Sequence, residues 1–181
     1  MKKTLKLMCV IFFLMPYSIQ AQEDSLYESN VYEFINQIRF SRFDYPRTDT
    51  IKLRNFLSNK SLFSSVPLMS FKESYPNFFS ELELHELAAK FNDDSTKFDL
   101  MENRIKKSKL LNDTIIDILN NGNFTEKNCT YWRFSKPCFI RNYTICAFSY
   151  EFCDNQDTLL FKKENEKWVF VAVLGRIYSD Y

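Results

Sequence analysis

Glycine is almost absent from this chain, which has only Gly122 and Gly175 among its 181 residues. Phosphate-binding loops, dinucleotide-binding turns and the nucleophile elbow each need several glycines, which allow close backbone approach or a positive φ. Two isolated glycines cannot form any of these motifs. The sequence therefore excludes nucleotide binding and serine hydrolysis by those routes.

Histidine is scarcer still, because His85 is the only one. Glu86 follows it, but Ala89 stands where a zinc-binding helix would have its second histidine. No nucleophile and acid accompany His85 at a recognisable spacing, so a catalytic triad is not indicated. We expect His85 to make a local hydrogen bond beside an apolar stripe, and we expect no catalytic residue, metal or cofactor.

Neither sign of charge dominates, since 24 lysines and arginines face 23 acidic residues. This balance favours neither nucleic acid nor an anionic membrane as a partner. Acidic residues cluster at Glu81, Glu83 and Glu86 and at Asp93 and Asp94. Solvated helix ends often carry such clusters, but they leave a carboxylate-dependent glycan hydrolase open as an alternative.

Long hydrophobic runs are also missing, and the apolar stretch from Leu7 to Met15 is about half of the roughly 20 residues that span a bilayer. Lys2, Lys3 and Lys6 flank it on one side and Pro16 on the other. This arrangement is typical of a secretory signal peptide. The sequence thus predicts an exported protein, periplasmic or secreted, with no integral membrane span.

The predicted cleavage falls between Ala21 and Gln22, because alanine is a small residue suited to the cut. Residues 22–181 are enough for one domain with a proper core. Loss of the three signal lysines leaves 21 basic residues against 23 acidic ones, a net charge of −2.

The first part of this domain, residues 22–122, is predicted to be rich in helices. Apolar residues recur at helical spacing from Leu26 to Phe40, and again after Ser80, where Ser80 and Glu83 match a capping box. A further helix is expected from Asp113 to Asn121, a strand from Thr50 to Leu57, and a loop from Asn59 to Asn77.

Residues 129–175 instead show short segments rich in aromatic and β-branched residues, separated by short turns. They predict an antiparallel β-meander of four to five strands: Thr130–Phe134, Pro137–Ile140, Thr144–Phe152, Thr158–Lys163 and Trp168–Gly175. Helices followed by strands indicate an α+β fold, in which the N-terminal helices pack on the meander.

Residues alternate between two faces along the predicted strand Thr144–Phe152. The aromatic face, which carries Phe148 and Tyr150, is expected to pack on the helices. The opposite face, with Ser149 and Glu151, is then expected to be exposed, and we interpret it or the edge strand as the candidate binding face.

Four cysteines follow the predicted cleavage site, at Cys129, Cys138, Cys146 and Cys153. Their spacing lacks the close pair typical of zinc sites, which favours a structural disulfide or buried thiols. A three-residue loop between Ile140 and Thr144 would place Cys138 opposite Cys146 and allow a cross-strand disulfide, whereas a two-residue turn would separate them.

Three segments of the meander carry a resemblance: Tyr131–Phe139 with its Ser-Lys-Pro-Cys-Phe, the aromatic strand Ile145–Phe152, and Phe161–Trp168 with its Lys-x-x-x-x-Trp. Together they resemble a C-terminal β-meander module of small, uncharacterised exported bacterial proteins. The resemblance implies a hairpin opened by Ser-Lys-Pro-x-Phe and a turn before the last strand. It implies no activity.

The sequence therefore favours a non-catalytic envelope or secreted interaction module, whose partner would be another envelope or secreted protein. Two alternatives remain. One is the carboxylate-dependent glycan hydrolase, and the other is an immunity or inhibitor protein that blocks an exported toxin.

Export predicts the mass of the mature protein. Because signal peptidase removes the leader, the protein isolated from its native host should begin at Gln22 and lack 21 residues. Intact-mass spectrometry of the envelope and culture fluid checks this. A full-length species confined to the cytoplasm would contradict it.

Overall fold

The computed structural model describes residues 21–38, 51–58, 72, 75–93, 97–106, 108–116, 131–152 and 155–177. Residues 1–20 of the predicted signal peptide 1–21, most of the predicted 59–77 loop, residues 117–121 of the predicted third helix, Cys129 and Cys153 lie outside these residues. Within the described part, no helix is both long and apolar enough to cross a membrane.

Along the chain, the described helices and short strands come first, and the longer strands follow. Helix α1 covers residues 21–38, α2 covers Glu81–Phe91, a 3-10 helix covers Glu102–Arg104, and residues 113–116 form a helical turn. The strands are β1 Ile51–Arg54, β2 Phe56–Leu57, β3 Phe98–Asp99, β4 Ser108–Leu111, β5 Arg133–Phe134, β6 Cys138–Ile140, β7 Ile145–Phe152, β8 Asn155–Glu164 and β9 Lys167–Ile177.

The C-terminal strands form a five-stranded antiparallel sheet in the order β5-β7-β8-β9, with β6 also paired to β7. The predicted α+β fold with a C-terminal antiparallel meander is confirmed. Two smaller pairs, parallel β1-β4 and antiparallel β2-β3, flank this sheet. Backbone hydrogen bonds of 3.0 and 2.9 Å join Arg54 and Lys52 of β1 to Trp132, just before β5.

Helix α2 begins where the capping residues predict. The Ser80 hydroxyl accepts from the Glu83 backbone N–H at 3.3 Å, and the Glu83 carboxylate accepts from the Ser80 N–H at 2.8 Å. These bonds satisfy donors that the first turn leaves free. Phe79 and Leu84, on either side of the cap, are buried in one cluster.

Helix α1 covers the aromatic face of the sheet. Phe34 lies at the centre of this contact, and its ring meets four others with centroids 5.1–5.9 Å away: Phe139, Phe148, Phe161 and Trp168. All four ring pairs meet edge to face, a favourable arrangement for aromatic rings. The prediction that the aromatic face packs on the helices is confirmed for α1, whereas α2 packs on the opposite face.

Helix α2 covers the opposite face, where Leu84, Leu87 and Phe91 pack with Ala147 and Leu160. The expectation that this face is exposed at Ser149 is therefore wrong, because Ser149 is fully buried. Its backbone N–H donates to the Ser135 hydroxyl at 2.9 Å, and its own hydroxyl hydrogen-bonds to Thr158. Short polar side chains are tolerated here because they satisfy each other.

The expected opposition of the two cysteines is also wrong. The β6–β7 loop has four residues, 141–144, which places Ile140 opposite Ile145 and Cys138 opposite Ala147. Cys146 instead faces Phe139, so the thiols lie on opposite faces of the sheet, since alternate strand residues point to opposite sides. Both are buried as thiols.

Replacing Phe34 with alanine should destabilise the fold by about 3–5 kcal/mol, because it empties the centre of the aromatic cluster. Urea unfolding followed by circular dichroism measures this change. The matched control is Leu82→Ala, since Leu82 is 78% exposed on α2 and should change stability by less than about 0.5 kcal/mol. Equal effects of the two substitutions would contradict the assignment of α1 to the core.

Candidate functional site

A cleft of about 620 Å³ opens beside β6, between α1 and α2. Its volume lies within the range of pockets that bind small ligands. Three residues of α1, the C-terminal half of α2 with Asp93, Lys97 with Phe98, and the continuous segment 136–143 line it. They fall in three regions that are far apart in sequence, 24–28, 86–98 and 136–143, so the cleft exists only in the folded chain.

The backbone of β6 forms one side of this cleft. Among the described strands β6 pairs with β7 alone. Two carbonyls along this strand, those of Pro137 just before it and of Phe139 within it, nevertheless accept hydrogen bonds from side chains. The Tyr27 hydroxyl donates to the Pro137 carbonyl at 3.3 Å, and the Lys90 ammonium donates to the Phe139 carbonyl. Because Pro137 also lacks an N–H, this edge is poorly suited to adding another strand.

Four aromatic residues that line the cleft contact one another. The Tyr27 ring lies 6.0 Å from Phe98 and 5.9 Å from Phe139, and Phe139 lies 5.3 Å from Tyr143. Burial raises the pKa of Tyr27, with smaller contributions from Cys138 and Cys146, so its hydroxyl remains a neutral donor. The cleft thus has rigid apolar area beside its charged groups.

The loop at one end of the cleft has an unusual backbone. Arg141, Asn142 and Tyr143 have φ values of 51°, 49° and 59°, a conformation that costs about 1–2 kcal/mol for most residues other than glycine. The Thr144 hydroxyl donates to the Arg141 carbonyl at 2.6 Å and helps to close this turn. All three left-handed residues line the cleft.

The Arg141 side chain joins this loop to the start of α2. Its Nη2 donates to Glu83 Oε2 at 3.0 Å and to the Phe78 carbonyl at 2.6 Å. The hydrogen bond from Arg141, followed by those from Ser80, lowers the pKa of Glu83 from 4.5 to about 2. Glu83 therefore caps the helix and anchors the loop at once.

Ion pairs hold three of the carboxylates that line the cleft. Glu86 meets Lys90 at 2.7 Å, Asp93 meets Lys136 at 3.2 Å, and Glu28 meets Arg104. Lys136 is buried, whereas Asp93 is half exposed. Such pairs fix the positions of charged groups around the cleft.

The sequence-predicted residues lie mostly outside the cleft. His85 is exposed on α2, and Glu151 pairs with Arg133 at 2.6 Å on the sheet. Cys138 lines the cleft, but Cys146 is fully buried and burial raises its pKa, so its thiol is protonated. In the described residues, no group of three histidine, cysteine or acidic side chains is placed to hold a metal ion.

The edge strand of the meander is β9, which among the described strands pairs only with β8. Val169, Val173 and Ile177 are exposed on it. The register with β8 shifts twice, and these bulges skip Val171 and Leu174. Because bulges twist an edge and interrupt its hydrogen-bonding pattern, they disfavour a long added strand.

Comparison with protein-family models, with curated proteins and with solved structures gave no match to this chain. Its function must therefore be inferred from its own residues.

The low pKa of Glu83 predicts a loss of stability in acid. A carboxyl whose folded-state pKa is depressed stabilises the fold above its unfolded value of 4.5, and this contribution disappears as the pH falls towards 2. The pair is near the surface, so we expect about 1 kcal/mol. Urea unfolding between pH 5 and pH 2 should show a smaller loss for Glu83→Gln than for the wild type. An identical pH dependence in both proteins would contradict this role.

Proposed function

We propose that the protein is an exported, non-catalytic interaction module that binds its ligand in the cleft between α1 and α2. The observation that carries this proposal is a cleft of ligand size, most of whose charged side chains form ion pairs. A preorganised polar lining reduces the ordering cost of binding. The signal-like N-terminus supports export.

The site differs from the binding face expected from the sequence. α2 covers that face and Ser149 is buried there, while bulges interrupt β9. The cleft offers what those surfaces lack, namely a concave shape, aromatic area and hydrogen-bonding groups together. It therefore supports binding better than either surface.

A glycan hydrolase is the second candidate, because four carboxylates line the same cleft. Glycoside hydrolysis needs one carboxylic acid that is protonated and one carboxylate that is ionised, flanking the bond. Glu28, Glu86 and Asp93 each form an ion pair with a cation of this chain. These surroundings suit fixed charges better than a general acid.

Filling the cleft should abolish binding. Glu86→Trp places a large ring at the cleft, whereas Leu82→Trp, one turn earlier on α2 and 78% exposed, places the same ring outside it. The immobilised proteins would be exposed to envelope extract and culture fluid of the native host, and the retained molecules identified by mass spectrometry. We expect specific molecules to be retained by the wild type and Leu82→Trp and lost by Glu86→Trp.

Equal retention by all three proteins would contradict binding in the cleft. Incubation of the purified wild type with cell-wall glycan and dietary polysaccharide tests the second candidate. Turnover that is lost in Glu86→Gln or Asp93→Asn would replace the binding proposal with the hydrolase.

A further inference from the structure

Ion pairs within the chain already neutralise carboxylates that line the cleft. Glu86 pairs with Lys90 at 2.7 Å, and Glu28 pairs with Arg104. A charged ligand would have to compete with the existing partner for each of these groups. A neutral polar ligand has no such cost, because it can hydrogen-bond to a paired carboxylate without separating the pair. The lining therefore favours a ligand that is polar but uncharged.

The paired carboxylates keep the capacity to accept further hydrogen bonds. The Lys90 ammonium donates to Oε1 of Glu86, and the Arg104 guanidinium donates to Oε1 of Glu28. A carboxylate has two oxygens and about four positions for donors, and both side chains are partly exposed. The ligand must therefore supply donors, and hydroxyl groups are donors that carry no charge.

Asn142 and Tyr143 supply groups that both donate and accept. Asn142 is exposed, and its side-chain amide makes no hydrogen bond within the described part of the chain. Tyr143 is partly exposed, and burial, followed by the charge of Glu23, raises the pKa of its hydroxyl, which therefore stays protonated. Hydroxyl groups of a ligand match both side chains, because they too donate and accept.

Aromatic rings give the cleft an apolar surface beside these polar groups. The Tyr143 ring packs at 5.3 Å against the buried Phe139, yet it stays partly exposed in the lining, as does Phe98. The face of an aromatic ring carries partial negative charge and attracts C–H groups, which carry partial positive charge. A sugar ring combines a face of C–H groups with hydroxyl groups around its rim.

The loop that carries Asn142 and Tyr143 is held in a costly conformation. A two-residue hairpin turn needs two left-handed residues, as at Asn165 and Glu166, whereas residues 141–143 are three in succession without a glycine. Backbone strain of this kind is concentrated at ligand-binding and other functional sites. Here it belongs to the loop that lines the cleft.

We infer that the cleft binds a neutral oligosaccharide, with a sugar ring packed on Tyr143 and hydroxyl groups bonded to Asn142 and Glu86. The volume of about 620 Å³ suits a short oligosaccharide. This inference rests on the proposed function, because it names the ligand class of the same cleft.

Neutral and charged sugars of equal length test the inference. The neutral probes are cellotriose, maltotriose and triacetylchitotriose. The charged probes are chitotriose, which lacks the acetyl groups of triacetylchitotriose and is cationic, and trigalacturonic acid, which is anionic. Each trisaccharide is titrated into the purified protein by calorimetry.

The variant Asn142→Gly removes the amide and keeps the loop, because glycine adopts a left-handed backbone without strain. The matched control is Asn165→Gly, which makes the same change at an exposed left-handed asparagine in the β8–β9 turn, outside the cleft lining. Thermal unfolding confirms that both variants fold.

We expect at least one neutral trisaccharide to bind, and both charged trisaccharides to bind more weakly than it does. Asn142→Gly should weaken this binding by about three- to tenfold, the range for the loss of one hydrogen bond. Asn165→Gly should leave it unchanged.

A charged trisaccharide that binds as tightly as the best neutral one would overturn the inference. The same holds if none of the neutral trisaccharides binds, or if Asn142→Gly binds them as tightly as the wild type. In each of these cases the capture experiment with Glu86→Trp decides separately whether the cleft binds a ligand of another class.

Discussion

The contact between Arg141 and Glu83 is the interaction on which the cleft depends. Glu83 closes the capping box of α2, and the same carboxylate holds the guanidinium of a loop with three left-handed residues. One carboxyl group thus fixes the start of a helix and the end of a hairpin. Without it, the strained loop would lose its anchor on α2 and the end of the cleft would lose its shape.

Burial of both faces of β7 imposes the other constraint. Its residues Ile145 to Ser149 are all buried, so both faces of the sheet need a cover. α1 supplies one cover through Phe34 and α2 supplies the other through Leu87. Because two helices lie over opposite faces of a narrow sheet, β6 is left at an edge between them. The cleft forms at this edge.

Much of the fold follows from local sequence signals, whereas the site does not. The capping box at Ser80, the meander and the aromatic face are set by short-range patterns, and each was predictable. The length of the β6–β7 loop was not predictable, because its left-handed turn at 141–143 contains no glycine to mark it. The loop is one residue longer than the three-residue loop that would place Cys138 opposite Cys146. The burial of Ser149 required knowing that α2 covers its face. The cleft combines three distant regions of the chain, which no spacing rule brings together.

Ion pairing in the cleft has a consequence for its chemistry. A catalytic pair of carboxyl groups works when their surroundings differ, so that one is protonated while the other is charged. Here Glu86 and Asp93 each adjoin a lysine, and Glu28 adjoins an arginine, so their surroundings are alike. Similar surroundings provide no division of roles between acid and base. They do provide fixed charges of both signs around aromatic rings, an arrangement that supports the proposal that the cleft binds a ligand by its shape and charge.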